Sequence, residues 1–232
     1  MKFVAICMLA GSAAAASADL IDFEDFEHGR IIDTQYESLG VSVSAINFNR
    51  SFDLAVAFNT NLDGTRDPDL EGPWTGGNLP ADTDIGNILI VQENNNGIGD
   101  GIADRPDDEG RRAAGQLIFD FDRVFWNIGF DLVDLEDATS ETSSIELFRG
   151  GSSVASIGFE EFESGGDYDR GAAYGDNSLN RIDPIAIAGG FDRAVFTLGG
   201  SAGIDNVFYS LPSPGVTMLL GVSGIMASRR RR

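Results

Sequence analysis

From residue 19 to residue 210 the chain alternates apolar and polar positions in short runs, and nowhere sustains a 3.6-residue period. Runs at 20–26 and 41–46 alternate residue by residue, while 54–58 and 88–91 are compact and apolar. Residues 116–122 set Leu117, Phe119 and Phe121 on one face, and 125–135 forms a longer aromatic run. Residues 144–148 and 154–159 flank Gly150-Gly151 and predict a hairpin. Further runs at 185–187, 194–198 and 204–209 bring the count to about ten strands. Strands at this spacing predict an all-β domain, a β-sandwich of jelly-roll type. No repeat period supports a solenoid instead. Two connections, 59–84 and 93–115, exceed the ~12–15 residues usual for a structureless loop, so each is expected to be functional, metal-ordered or mobile.

Charge divides the chain further. Of 232 residues, 37 are acidic and 16 basic, a net of −21. Every carboxylate lies between Asp19 and Asp205, whereas Lys2, Arg229, Arg230, Arg231 and Arg232 lie outside that span. The remaining 11 arginines against 37 acids give the body a net of −26. Such a body argues against nucleic acid as a partner and is repelled by anionic membrane surfaces. The apolar fraction of 42% suffices for a core.

The ends carry the signature of export. Lys2, the apolar stretch 3–10 and Ala16-Ser17-Ala18 before Asp19 predict a signal peptide over 1–18. Cys7 lies inside that segment, so the mature chain is expected to lack cysteine and to depend on its core or on bound metal. The domain is expected over 19–210, followed by a distinct segment at 211–232. That segment contains Pro212-Ser213-Pro214, an apolar stretch over 216–227 and the terminal arginines. It is short for a stable span, and the arginines set a cytoplasmic side. The tail resembles the PEP-CTERM sorting signal, with Ser213 where that family usually has Glu. The resemblance implies recognition by an exosortase-type membrane protease, removal of the tail, and delivery to the cell surface or extracellular matrix of a Gram-negative-type bacterium. Membrane contact is then expected only through the tail before processing. A plain C-terminal anchor is the alternative.

The long connections are rich in hard oxygen donors. Asn59, Asn61, Asp63 and Gly64 have the spacing of the opening of a Ca²⁺ loop, with Asp67 at a later ligand position and Asp69 beside it. Leu70 stands where an EF-hand would need Glu, so that motif is excluded. The second connection offers Asp107 and Asp108. Oxygen ligands without thiolate select Ca²⁺. A third candidate pairs Glu24 near the chain start with Asp205 near its end. These positions resemble those of exported jelly-roll modules that bind carbohydrate, which carry a structural Ca²⁺ between first and last strands. The body also resembles uncharacterised exported proteins with such tails, through Asp67-Pro68-Asp69-Leu70, Gly86-Asn87-Ile88-Leu89-Ile90 and Asp107-Asp108-Glu109-Gly110. That resemblance implies an extracellular role and no assigned activity.

Catalytic signatures are sparse. His28 is the one imidazole, and no Gly-x-Ser-x-Gly or phosphate loop occurs. The sequence therefore predicts a non-enzymatic exported protein, Ca²⁺-stabilised and adhesive or glycan-binding, with extracellular polysaccharide as partner. Trp74, between Pro73 and Gly76-Gly77, is expected as an exposed glycan contact, and Trp126 as a core residue. A secreted polysaccharide hydrolase using paired carboxylates is the alternative.

Overall fold

A computed structural model describes residues 18–211. The signal segment before Ala18 and the sorting motif, with Pro212, Ser213, Pro214 and Arg229 to Arg232, lie outside the described residues.

The fold is almost entirely antiparallel β, as expected. Its ten strands are β1 (Ala18–Ile21), β2 (Val41–Asn47), β3 (Ala55–Asn59), β4 (Gly76–Gly77), β5 (Asn87–Val91), β6 (Gly115–Val133), β7 (Ser144–Arg149), β8 (Ser152–Gly158), β9 (Ser178–Leu198) and β10 (Gly203–Ser210). A single-turn helix, α1 (Ala138–Glu141), was not foreseen, nor was β4. Of the paired strands only β4 on β9 run parallel. The β7–β8 hairpin turns at Gly150-Gly151, both in the left-handed region that a two-residue turn requires. The run predicted over 20–26 stops as a strand at Ile21, because the chain turns sharply at Phe23, whose φ is +56°.

Four predicted runs merge into two long strands. Residues 116–122 and 125–135 become β6, and 185–187 and 194–198 become β9. These two pair along almost their whole lengths, with breaks in register after Asp120. The pair is folded over on itself. Phe119 and Phe130 stand eleven residues apart on β6, about 36 Å if extended. Yet the Phe196 ring lies 5.7 Å from Phe119 and 4.9 Å from Phe130. The bend falls at exposed Asp122-Arg123, opposite Gly189-Gly190. All ten described strands form one hydrogen-bonded network bent double, where a jelly roll of two sheets was expected. One half holds β2, the start of β6, the end of β9, β7 and β8. The other holds β3, β5, β10, the end of β6 and the start of β9.

The two halves face each other across an aromatic core containing Phe119, Phe125, Phe130, Phe191, Phe196 and Tyr209. β2 buries alternate residues, as a strand with one wet face should. β5 buries all five. Its outer face is covered by the connections 59–84 and 93–115, which enclose a second core of Val56, Phe58, Leu70, Trp74, Ile88 and Ile90. The long connections are thus the second wall of the β3–β5 region. Arginines tie them down: Arg50 bonds the buried Glu109 at 2.7 Å and also reaches Glu93, and Arg112 pairs with Glu136 and with buried Glu141.

A candidate cation site at a strand junction

The edge of β10 is shared end to end by two strands. β5 pairs with it at Gly203 and Ile204, and β1 pairs with it at Val207 to Ser210. Between them Asp205 and Asn206 have no strand on that side, and the β10–β6 register is broken there. Into this gap the chain brings the turn after β1, with Asp22, Phe23 and Glu24, and the start of β5 at Asn87. Asn87 N–H donates to Glu24 Oε1 at 2.8 Å, and Asn87 Nδ2 donates to the carbonyls of Phe23 and Phe26 at 3.0 and 2.7 Å. Gly86 is indispensable to this contact. Its φ is +61°, and a Cβ there would fall 2.1 Å from the Glu24 carboxylate. Gly86→Ala is expected to cost about 1–2 kcal/mol. Thermal unfolding should register that as a fall in Tm of a few degrees.

Two oxygens at the junction are buried without partners. Asp205 is fully buried and its Oδ1 has no hydrogen bond, while Oδ2 accepts from Asn206 Nδ2 at 2.6 Å. Asn87 is 2% exposed, and its Oδ1 is likewise unpartnered. Burial pushes the Asp205 carboxyl up to about 9, and the charges of Asp131, Glu24 and Asp22 add to the effect. Glu24 is raised for the same reason, with Asp22, Asp84 and Asp25 adding to it. Glu24 and Asp205 are therefore brought within electrostatic reach of each other. Asn87 was missed; its place opening an apolar strand was the available signal.

The connections arrange their acids differently from expectation. Asn59 Oδ1 accepts the Asn61 N–H at 2.9 Å, and Asn61 Nδ2 donates to Asp84 at 2.8 Å. Asp63 is exposed, and Glu71 caps the turn by accepting from Gly64 and Thr65. The expected Asn59-x-Asn61-x-Asp63 arrangement is thus an Asx turn braced by Asp84. Asp67 and Asp108, from different connections, do meet: Asp108 N–H approaches Asp67 Oδ2 at 3.4 Å, and burial together with the neighbouring Asp67 raises the Asp108 carboxyl. Ala202 N–H donates to Asp108 Oδ2 at 2.6 Å. Asp134 lies nearby, accepting from Asn177 N–H at 2.6 Å and Ser201 Oγ at 2.8 Å. Its carboxyl is pushed up to about 7 by burial, with Asp67 and Asp69 adding charge. Asp107 is pushed up to about 6 by burial, aided chiefly by Glu93. Among the described residues, no three Asp, Glu, His or Cys side chains form a metal cluster by themselves. Any cation at the β10 junction would draw on amide and backbone oxygens as well.

Both tryptophan expectations are overturned. Trp74 is 3% exposed and lies in the second core, with Nε1 donating to the Thr83 carbonyl at 2.9 Å. The connection that was expected to display it folds inward over β5, because β3 and β5 need an apolar cover. Trp126, at the β6 bend, is 37% exposed. His28 accepts the Asn59 N–H through Nδ1 and sets its ring edge-on to Phe58. Burial lowers its pKa.

No family model matches the chain, and no curated protein matches it. Among solved structures, the K2 cleaved adhesin domain of Lys-gingipain is similar over 83% of this chain and 99% of that one, at 11% identity and a TM-score of 0.39. Among the described residues no helix is long and apolar enough to cross a membrane.

Proposed function

We propose that this is a non-enzymatic, exported binding protein of the cell surface or matrix, whose β body is stabilised by Ca²⁺ at the β10 junction. The observation that carries the cation is the pair of buried, unpartnered oxygens on Asp205 and Asn87 beside the Glu24 carboxylate. A buried carboxylate without compensation is costly, and a hard cation supplies the missing charge and ligands. An adhesive role on extracellular polysaccharide fits an acidic, export-tagged body. In support of a non-catalytic role, the neighbouring carboxyls of Asp67 and Asp108 are buried and accept from backbone N–H groups. An exosortase-type protease would remove the tail. Mass spectrometry of the protein from its native cells should find a chain beginning at Asp19 and lacking the arginine cluster; intact ends would overturn the sorting proposal.

The cation is tested by thermal unfolding of the full chain in Ca²⁺ and in chelator. At 100-fold excess over Kd, Ca²⁺ should add about 2.7 kcal/mol. That corresponds to a rise in Tm of roughly 5–10 °C. Asp205→Asn should abolish the difference, and Asp63→Asn should leave it. Equal Tm values with and without Ca²⁺ would refute the site.

A further inference from the structure

The outer face of the β3–β5 half is covered at one end by the long connections and bare at the other. The cover stops at Asn78, whose side chain bonds the backbone N–H and carbonyl of Arg181. Beyond it lies a groove of about 270 Å³ across β1, β10, β6 and β9.

Two rows of residues cross this groove. Leu20, Phe208 and Gly129 stand side by side in register on three adjacent strands. Leu20 is exposed, Phe208 is half-buried, and Gly129 keeps the floor at backbone level. A methyl group there would lie 2.8 Å from the Ile182 carbonyl, so no side chain fits. Beside this apolar row runs a polar one. Asp131, buried, receives Arg181 through Nε at 2.8 Å and Nη2 at 2.7 Å, and Asn206 Nδ2 at 2.9 Å. The fork fixes the guanidinium on the groove wall, with the Arg181 side chain still half exposed. Exposed Asp183 supplies a carboxylate on the same wall.

We infer that this groove binds one unit of a neutral saccharide. A pyranose presents apolar C–H faces and, at its rim, hydroxyls that both donate and accept. The groove presents an apolar strip alongside a fixed donor and an acceptor, the combination expected of a small-ligand site with few oriented polar groups. An anionic sugar would meet Asp183 and the field of a strongly acidic body. A cationic peptide would satisfy Asp183 and leave the Arg181 donors facing like charge. The volume suits a single compact unit, near the lower end of the ~300–1,000 Å³ typical of ligand pockets. The inference deepens the binding role proposed above and rests on it. The two sites also touch, because Asn206 Nδ2 donates to both Asp131 and Asp205.

The test is an NMR titration of the full chain, in Ca²⁺, with methyl glycosides of glucose, galactose and mannose, with alginate as an anionic probe and a lysine pentapeptide as a cationic one. At least one neutral glycoside should shift the Gly129, Phe208 and Arg181 resonances. Phe208→Ala should weaken binding at least tenfold and Leu20→Ser several-fold. Asp183→Asn, at an exposed position, provides a second variant that leaves the core untouched. Each variant's thermal shift with Ca²⁺ is recorded in parallel, so failure of the cation site and failure of the groove are read separately. The groove assignment is overturned if every neutral glycoside leaves those resonances unmoved, if binding survives Phe208→Ala and Asp183→Asn unchanged, or if alginate or the lysine peptide binds there in preference. Release of cleaved sugar would refute the non-enzymatic proposal while leaving the groove as the binding place.

Discussion

Trp74→Ala is expected to destabilise the protein by about 3–5 kcal/mol, the range for removing a large buried aromatic. The reasons are specific. Trp74 is packed among Val56, Phe58, Leu70 and Ile88 in the second core, and its indole N–H is satisfied by the Thr83 carbonyl. The substitution leaves a large cavity under a wall held in place by hydrogen bonds such as Gly72 N–H to the Thr60 carbonyl and Thr75 N–H to the Asn177 carbonyl, so little relaxation offsets the loss. Trp74→Phe keeps most of the volume and loses the hydrogen bond, so its cost should be smaller, about 1–2 kcal/mol. Urea unfolding followed by circular dichroism would measure both. A wild-type midpoint for Trp74→Ala, combined with lost saccharide binding, would mean that the side chain faces solvent after all.

Stability should fall as pH rises from about 4 to about 7, contrary to the behaviour of a protein held by surface salt bridges. Asp134 is pushed up to about 7 and Asp107 to about 6, in both cases chiefly by burial. Asp108 is raised by burial and by its contact with Asp67. A carboxyl raised in the folded state holds a proton there that the unfolded chain has already released. The favourable protonated form is complete below the ordinary value of 3.8 and is lost as pH climbs through the folded value. Each fully linked group contributes at most about 1.4 kcal/mol per pH unit in that window. The lowered carboxyls, Glu71, Asp137 and Asp169, act in the opposite sense but below about pH 4.5, and the lowered imidazole of His28 opposes the decline only below its ordinary value of 6.5. Denaturation midpoints at pH 5, 6, 7 and 8, taken in chelator, should therefore decline steadily. Asp134→Asn should flatten the slope by up to one proton's worth. A midpoint that increases over this range would contradict the buried-carboxyl account.

The sequence marked Trp74, Asp107 and Asp108 without disclosing their surroundings, and did not mark Asp134 at all. Alternation identified most strands, because a strand with one wet face writes its period directly: β2 buries Val41, Val43 and Ala45 and exposes the residues between. The compact runs at β3 and β5 lacked that period, and the structure gives the cause, since both faces are covered. The cover itself was illegible as such. Residues 59–84 and 93–115 hold so many Asp, Asn and Gly residues that composition pointed to ion-binding loops, while Leu70, Trp74 and Ala103 lay scattered among them as isolated apolar positions. The β10 junction was half legible. Glu24 and Asp205 are 181 positions apart and were linked through a resemblance at the two ends, but Asn87 and the gap on β10 are visible only once β1 and β5 share an edge. Likewise, nothing in the local sequence of Leu20, Gly129, Arg181 and Phe208 marks them as neighbours.

The sequence alone determined the β class, most strand positions, the acidic body with basic ends and the scarcity of imidazole and thiol, because each depends on composition or on a period short enough to see along the chain. Only the tertiary structure decided that β6 and β9 bend double, that Trp74 is core and Trp126 surface, that Asp67 meets Asp108, and that Asp205 is buried at a gap between two strands. Those outcomes depend on which distant segments share an edge or a face. They follow from the requirement that every apolar strand face find a cover, which no local stretch of sequence can express.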